Sequence, residues 1–203
     1  MNYFVTAIGT DSGKTLLSAI LAEALDADYW KPVQAGRPVD SDAVESLIGN
    51  AGRRIHPEAY FLNTPASPHA AAPIDGITID LDTIVESLPA TKKDLVIEGA
   101  GGILVPLNGQ DMVIDIARRI PCKVVLVSNL YLGSINHTLL SVTHLKQLGL
   151  EVAGIIFNGP ANPASEEIIL AHSGYRCLLR LPQLEAITPQ VVQEYAARLR
   201  ENL

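Results

Sequence analysis

Aromatic residues are scarce in this 203-residue chain, at 5% against 48% hydrophobic residues overall. A core short of Phe, Tyr and Trp must be filled by Val, Ile, Leu and Ala, the usual packing of a parallel sheet covered by helices, and so apolar a composition excludes an intrinsically disordered chain. Cysteine is almost missing: Cys122 and Cys177 lie far apart, form no C-x-x-C pair and sit in apolar stretches. That excludes a disulfide framework and predicts buried free thiols in a reducing cytosol. Basic charge is also short, with 15 Lys and Arg against 22 Asp and Glu and a formal net charge of -7. No basic run is present to neutralise a phosphate backbone, which argues against a nucleic-acid partner. No apolar stretch approaches the length a bilayer span requires, and MNYFVT lacks the charged-then-apolar pattern of a secretory leader, so a soluble, cytoplasmic protein with no membrane association is expected. The five histidines show no zinc spacing, and no internal repeat or low-complexity segment interrupts what reads as one domain over residues 1–203.

What is present is an alternation of strand and helix signals. Residues 2 to 8 form an apolar run, a turn rich in Gly, Thr, Asp and Ser follows, and Leu17, Ile20, Leu21 and Leu25 then recur at helical spacing. Leu95 to Ile97 and Val124 to Val127 are continuous and rich in β-branched residues, as strands buried on both faces are. Ile135, Leu139, Val142, Leu145 and Leu148 mark a helix that stops at Gly149, before a strand from Val152 to Phe157. Asn162-Pro163 and Thr188-Pro189 read as helix starts, an N-cap followed by proline at the first helical position. This alternation predicts an α/β fold, a mostly parallel central sheet with helices on both faces and ligands at the carboxyl ends of its strands. The proline-rich stretch from about Arg53 to Gly76 is irregular and is expected to serve a site or partner.

Gly9-Thr10-Asp11-Ser12-Gly13-Lys14-Thr15 stands between the first strand and first helix. Such a turn aims successive backbone N–H groups at phosphate oxygens, and the helix start adds its positive end. Lys14 then bridges the β- and γ-phosphates of a nucleotide triphosphate while the Thr15 hydroxyl ligates Mg²⁺. Strict Walker spacing would put glycine where Ile8 stands, so an ordinary βα turn is the plain alternative; the order strand, GKT, helix favours phosphate binding. Lys31, in Trp30-Lys31-Pro32-Val33, is read as closing a short second strand that ends at Pro32, which delivers its ammonium to the same sheet edge, although a surface position is the commoner fate of a lysine. In Asp40-Ser41-Asp42, Asp40 or Ser41 is read as a helix cap and Asp42 as reaching the metal. Glu98 follows a buried strand and precedes Gly99-Ala100-Gly101-Gly102, where a Walker-B-type acid stands. Thr15, Asp42, Glu98 and phosphate oxygens make a reasonable Mg²⁺ shell.

Taken together, YFVTAIGTDSGKT at 3 to 15, WKPVQAG at 30 to 36, DSDA at 40 to 43, SPH at 67 to 69, EGAGG at 98 to 102, GSINH at 133 to 137 and FNG at 157 to 159 resemble the dethiobiotin synthetase family, in family order. The resemblance implies a three-layer P-loop NTPase fold and a homodimer that converts 7,8-diaminopelargonate, CO₂ and MgATP into dethiobiotin, ADP and phosphate through a carbamate and a carbamic-phosphoric anhydride. It places Asp11, Ser12, Gly13, Lys14, Thr15 and Leu16 in the phosphate loop, Glu98, Gly99, Ala100 and Gly101 beside ATP, Asn158 at the adenine and Pro182 in a weakly matching adenine-side loop. Lys14 and Lys31 match the catalytic lysines, and Lys31 the one that holds the carbamate. Ala35, where the family often has a hydroxyl residue, and Ser67 fall at substrate positions, and Gly133, Ser134, Ile135 and Asn136 match the segment that reaches the substrate carboxylate from the partner subunit. For Asn158 a turn role, for Ser67 a turn role and for Ser134 a helix cap are the plain alternatives. A P-loop switch ATPase of the partitioning or division-positioning type is the rival function, but such proteins usually carry an extra lysine early in the loop, and Gly9 to Ser12 hold none. A cobyrinic acid synthetase-like ligase would share the loop and the carboxylates but lack the Lys31-Pro32 and Ile135-Asn136-His137 segments in this order.

Overall fold

A strand buried on both faces needs two apolar layers, and the chain supplies them. A computed structural model describes residues 1–49 and 52–203. Its elements run β1 (Asn2–Ala7), α1 (Lys14–Leu25), β2 (Asp28–Trp30), β3 (Val33–Ala35), α2 (Asp40–Leu47), β4 (Ile55–His56), β5 (Tyr60–Leu62), α3 (Pro68–Ile74), α4 (Leu81–Glu86), β6 (Leu95–Glu98), α5 (Val113–Arg119), β7 (Lys123–Asn129), α6 (Ser134–Gln147), β8 (Val152–Asn158), α7 (Pro163–Ser173), β9 (Cys177–Leu181) and α8 (Pro189–Arg200). Successive side chains of a strand point to opposite faces. On β1, Phe4 enters a core built with α4, α5, α6 and α7, while Val5 and Ala7 enter a second core built with α1 and α8. The continuous apolar runs of β6 and β7 divide in the same way, which is why they do not alternate with polar residues.

The seven-stranded sheet has the order β4-β2-β6-β1-β7-β8-β9, and every pairing in it is parallel. From β1 the chain first builds toward β2 and β4, returns through β6, then builds the other way through β7, β8 and β9, so the direction of growth reverses at β1. In an open α/β sheet the crevice at such a switch point is where ligands gather. The closing helix α8 buries Val192, Tyr195, Ala196 and Leu199 against α1, as its apolar positions foretell. Asn162 and Thr188 each accept a hydrogen bond from the backbone N–H three residues on, with proline at the first helical turn. Among the described residues no helix is long and apolar enough to cross a membrane.

Several local readings change. The second strand ends at Trp30, not Pro32; proline has no N–H to continue the ladder, and the chain moves to a separate two-stranded parallel sheet of β3 and β5. That small sheet, with α3, gives form to the stretch from Arg53 to Gly76, while β4 extends the main sheet. Ser134 is the first residue of α6 rather than its cap: Gly133 takes the left-handed cap position, and the Ser134 hydroxyl is buried without a partner. Cys122 and Cys177 are free thiols, as expected, but half-buried rather than buried.

Burial pushes the Cys122 thiol up to about 12, so at pH 8 only about one molecule in ten thousand carries the reactive thiolate. Iodoacetamide at pH 8 should therefore leave Cys122 unmodified on a timescale that fully alkylates the unfolded chain, as read by peptide mass. Rapid native labelling of Cys122 would contradict this packing.

Candidate nucleotide and substrate site

β1 delivers the chain to the middle of the sheet at Ala7, and seven residues later α1 begins at Lys14. Gly13, the cap of α1, has φ 88°, a left-handed conformation open to glycine, and a Cβ there would lie 2.4 Å from Asn158 Nδ2. Both constraints exclude a side chain at position 13. The loop is pinned from two neighbouring strand ends. Ser12 Oγ lies 2.8 Å from Asn129 Oδ1 at the end of β7, and Asn158 Nδ2, at the end of β8, donates to the Ser12 carbonyl at 2.8 Å. Lys14 folds back over the loop to donate to the Gly9 carbonyl at 3.2 Å. Burial lowers its pKa, and the nearby Glu98 carboxylate works against that shift.

Glu98 ends β6 beside this loop and is almost wholly buried, at 1% exposure. Parallel register pairs Trp30 with Ile97, so Lys31, just past β2, and Glu98, the last residue of β6, come side by side. Lys31 Nζ lies 3.1 Å from Glu98 Oε1 and 2.7 Å from Asp40 Oδ2. Burial alone would depress the Lys31 ammonium, but the Glu98 and Asp40 carboxylates outweigh it and raise the pKa, keeping the cation charged. Thr15 Oγ1 is 3.0 Å from both Asp40 Oδ1 and Glu98 Oε1, and its single proton serves one of them at a time. The remaining Glu98 oxygen accepts from the Tyr29 hydroxyl at 2.9 Å; burial first, and then the Glu98 charge, push that phenol well above its ordinary range.

At the expected metal site the neighbour of Thr15 differs from the one read in the sequence. Asp40, not Asp42, is the carboxylate at Thr15. α2 begins at Asp40, and residues two apart on a helix point roughly 200° apart, so the two aspartates cannot share a target. Asp42 instead lines a separate hollow with Arg37, His56 and Glu58. The Asp40 backbone N–H donates to Gln34 Oε1, while Gln34 Nε2 holds the Gly36 carbonyl, and no side-chain cap from Asp40 or Ser41 is made. Two carboxylates and a hydroxyl at the phosphate loop form an oxygen set suited to Mg²⁺, which is held by one or two carboxylates with water and phosphate completing the shell.

These groups face a cavity of about 710 Å³. Its lining includes Asp11, Gly13, Lys14 and Thr15 from the phosphate loop and the start of α1, together with Lys31, Val33, Ala35, Pro65, Ser67 and Val105. Ala100 and Gly101 also line it, between Glu98 and Val105. Leu16 turns away to pack in the core beside α1 and α8. Asn158, matched to an adenine contact, reaches the Ser12 carbonyl and braces the loop. Pro182 is exposed just past β9 and does not line the cavity. Gly133 to Asn136 lies outside it as well: Gly133 and Ile135 border another hollow, with Leu130, Tyr131 and Pro160. Tyr29, Gln34, Asn129 and the site role of Asp40 carry no local signal in the sequence beyond the place of Tyr29 two residues before Lys31, since the others act through distant partners.

A left-handed glycine loop at the switch point, with the acid of the adjoining strand within reach of its threonine, is how three-layer P-loop proteins receive a nucleotide, and fold and site together place the chain in that class. Solved structures agree on the fold. A ParA family ATPase from Chlorobium tepidum superposes with a TM-score of 0.60 at 14% identity, covering 100% of this chain and 90% of that one. The septum site-determining protein MinD complexed with Mg-ADP from Pyrococcus horikoshii gives 0.60 at 15%, covering 99% and 95%. A family model described as an AAA domain matches residues 1–191. Far closer in sequence is the ATP-dependent dethiobiotin synthetase BioD of Cytophaga hutchinsonii, 55% identical over 202 residues, with 98% of this chain and 97% of the relative covered. The same enzyme of Christiangramia forsetii is 48% identical over 204 residues, covering 100% and 97%. The chain belongs to the dethiobiotin synthetase family.

The two aspartates separate in a direct test. In the presence of nucleotide, Asp40→Asn should weaken Mn²⁺ binding on the order of tenfold or more, whereas Asp42→Asn should leave it within about twofold. A paramagnetic titration that found the reverse order would return the metal site to Asp42.

Proposed function

We propose that the protein catalyses the ATP-dependent carboxylation and ring closure of 7,8-diaminopelargonate with CO₂, giving dethiobiotin, ADP and phosphate. One observation carries this reading beyond nucleotide binding: a buried second lysine, Lys31, stands in the same cavity as the phosphate loop. A carbamate and a triphosphate are both anions, and bringing them together requires cations placed in advance. Lys14 and Lys31 are those cations. The hydrocarbon part of the diamine suits the walls formed by Val33, Ala35, Pro65 and Val105.

Thr15, Asp40 and Glu98 would hold Mg²⁺, which when bound neutralises charge on the β- and γ-phosphates. Lys14, buried at the start of α1, is placed to steady the transferring phosphoryl group. Lys31 orients the carbamate so that its oxygen meets the γ-phosphorus, after which the second amine closes the ring on the carbonyl carbon and phosphate leaves. The loop's backbone N–H groups and the free N–H groups at the start of α1 receive phosphate oxygens without a reorganisation cost.

The same reading makes the protein a cytoplasmic homodimer in which Gly133 to Asn136 serves the partner's cavity. That segment lies away from its own cavity, and the exposed side chains of Leu132 and Leu140 stand beside it.

Incubating the protein with MgATP, bicarbonate and the diamine should yield dethiobiotin by mass, and omitting the diamine should suppress phosphate release. Diamine-independent hydrolysis with no dethiobiotin would favour a switch ATPase instead. Lys14→Ala should lower turnover by about a hundredfold or more, and Lys31→Ala should cost as much while leaving ATP affinity within a few-fold. Loss of nucleotide affinity in Lys31→Ala, with diamine use intact, would remove Lys31 from this role.

A further inference from the structure

Capture of CO₂ by an amine liberates protons, and the charged groups at the centre of the site are already occupied. Lys14 and Lys31 are cations, and Asp40 and Glu98 are committed to Lys31 and Thr15. Asp11 is exposed on the phosphate loop. On the cavity wall one polar side chain is differently connected. Ser67 precedes α3 at the N-cap position, where a serine hydroxyl ordinarily accepts from the helix backbone, yet it makes no such cap. Its Oγ lies 3.0 Å from His69 Nδ1 instead. Ser67 lines the cavity, whereas His69 does not line it and is open to solvent. The His69 backbone is anchored by donation to the Pro106 carbonyl at 3.2 Å, which fixes the base of the side chain beside the cavity wall.

We propose that Ser67 and His69 form a proton relay that drains the amine during carbamate formation. The inference rests on the reaction proposed above. The neutral amine's lone pair forms the new N–C bond as one C=O bonding pair of CO₂ moves onto oxygen, leaving an N-protonated adduct. The adduct's N–H proton passes to Ser67 Oγ while the Ser67 proton passes to His69 Nδ1, and the resulting imidazolium returns a proton to water from its exposed edge. Imidazole is the side chain suited to take up and release a proton near neutral pH. His69 thus acts through Ser67, and Ser67 is the member that meets the amine. Proton removal then falls to Ser67 and His69, so the ammonium groups that must stay charged are not the groups that exchange protons.

The test compares two forms of one substrate. With free diamine and CO₂, His69→Gln should lose about a hundredfold in kcat/KM, the size expected for general base catalysis, and added imidazole should restore activity in a concentration-dependent way. With diamine pre-equilibrated with bicarbonate at alkaline pH, so that it enters as preformed carbamate in a rapid-mixing assay, the loss should shrink to a few-fold. Ser67→Ala should show the same pattern without imidazole rescue. Because His69 is exposed, the variant's fold and ATP affinity should match the parent's, which circular dichroism and nucleotide titration check. An equal loss with both substrate forms, or no loss with free diamine, would overturn the relay. A parent protein that makes no dethiobiotin from either form would overturn the reaction itself, and the relay with it.

Discussion

A carboxylate at 1% exposure on the end of a central strand is the constraint around which this site is built. An unpaired charge held there would cost several kcal/mol in the interior. The fold surrounds Glu98 with Lys31, Thr15 and Tyr29, each from a different point along β1–α1–β2 and each within 3.1 Å. Removing one partner from such a cluster leaves an uncompensated charge, an effect of about 3–5 kcal/mol for buried pairs in general, so the cluster holds its members in place collectively. The same compensation keeps the Lys31 ammonium charged where burial would otherwise discharge it. A cation prepared for an anionic ligand and an acid prepared for a divalent ion thus stabilise each other in the folded chain.

The sheet makes that possible through register. Parallel pairing of β2 with β6 sets Lys31 next to Glu98, and pairing of β6 with β1 sets Glu98 next to the loop that carries Thr15. On the other side, β7 and β8 end in Asn129 and Asn158, whose side chains grip the loop at Ser12. Five neighbouring strands therefore converge on a few residues at their carboxyl ends. Two apolar layers press on the sheet from opposite faces, α1 and α8 on one and α5 to α7 on the other, so a shift of one strand by a residue would turn buried side chains to the wrong layer. Packing and chemistry share the same register.

Beyond the cluster, the cavity divides by character. Its lining draws on the phosphate loop and Lys14 and, separately in the chain, on β3 and the proline-bearing segment before α3. The small β3–β5 sheet explains why so proline-rich a stretch keeps a defined shape: it pairs where N–H groups exist and turns where they do not. Ser67 and His69 owe their positions to that segment.

The sequence by itself determined the parts whose signals are local. Runs of Val, Ile and Leu marked the buried strands, Asn162-Pro163 and Thr188-Pro189 marked helix starts, and Gly-Lys-Thr between a strand and a helix marked the phosphate loop, because each depends on residues a few positions apart. Lys31 and Glu98 were legible for the same reason, as charged residues at the ends of apolar strands. Only the tertiary structure decided which aspartate meets Thr15, since Asp40 and Asp42 differ by helix phase and the first residue of α2 is set by Gln34 holding the Asp40 backbone. It also decided that Asn158 braces the loop, that Tyr29 completes Glu98, and that β3 leaves the main sheet for β5. Those choices depend on contacts between residues far apart in the chain, and no spacing along it encodes a distance across the fold.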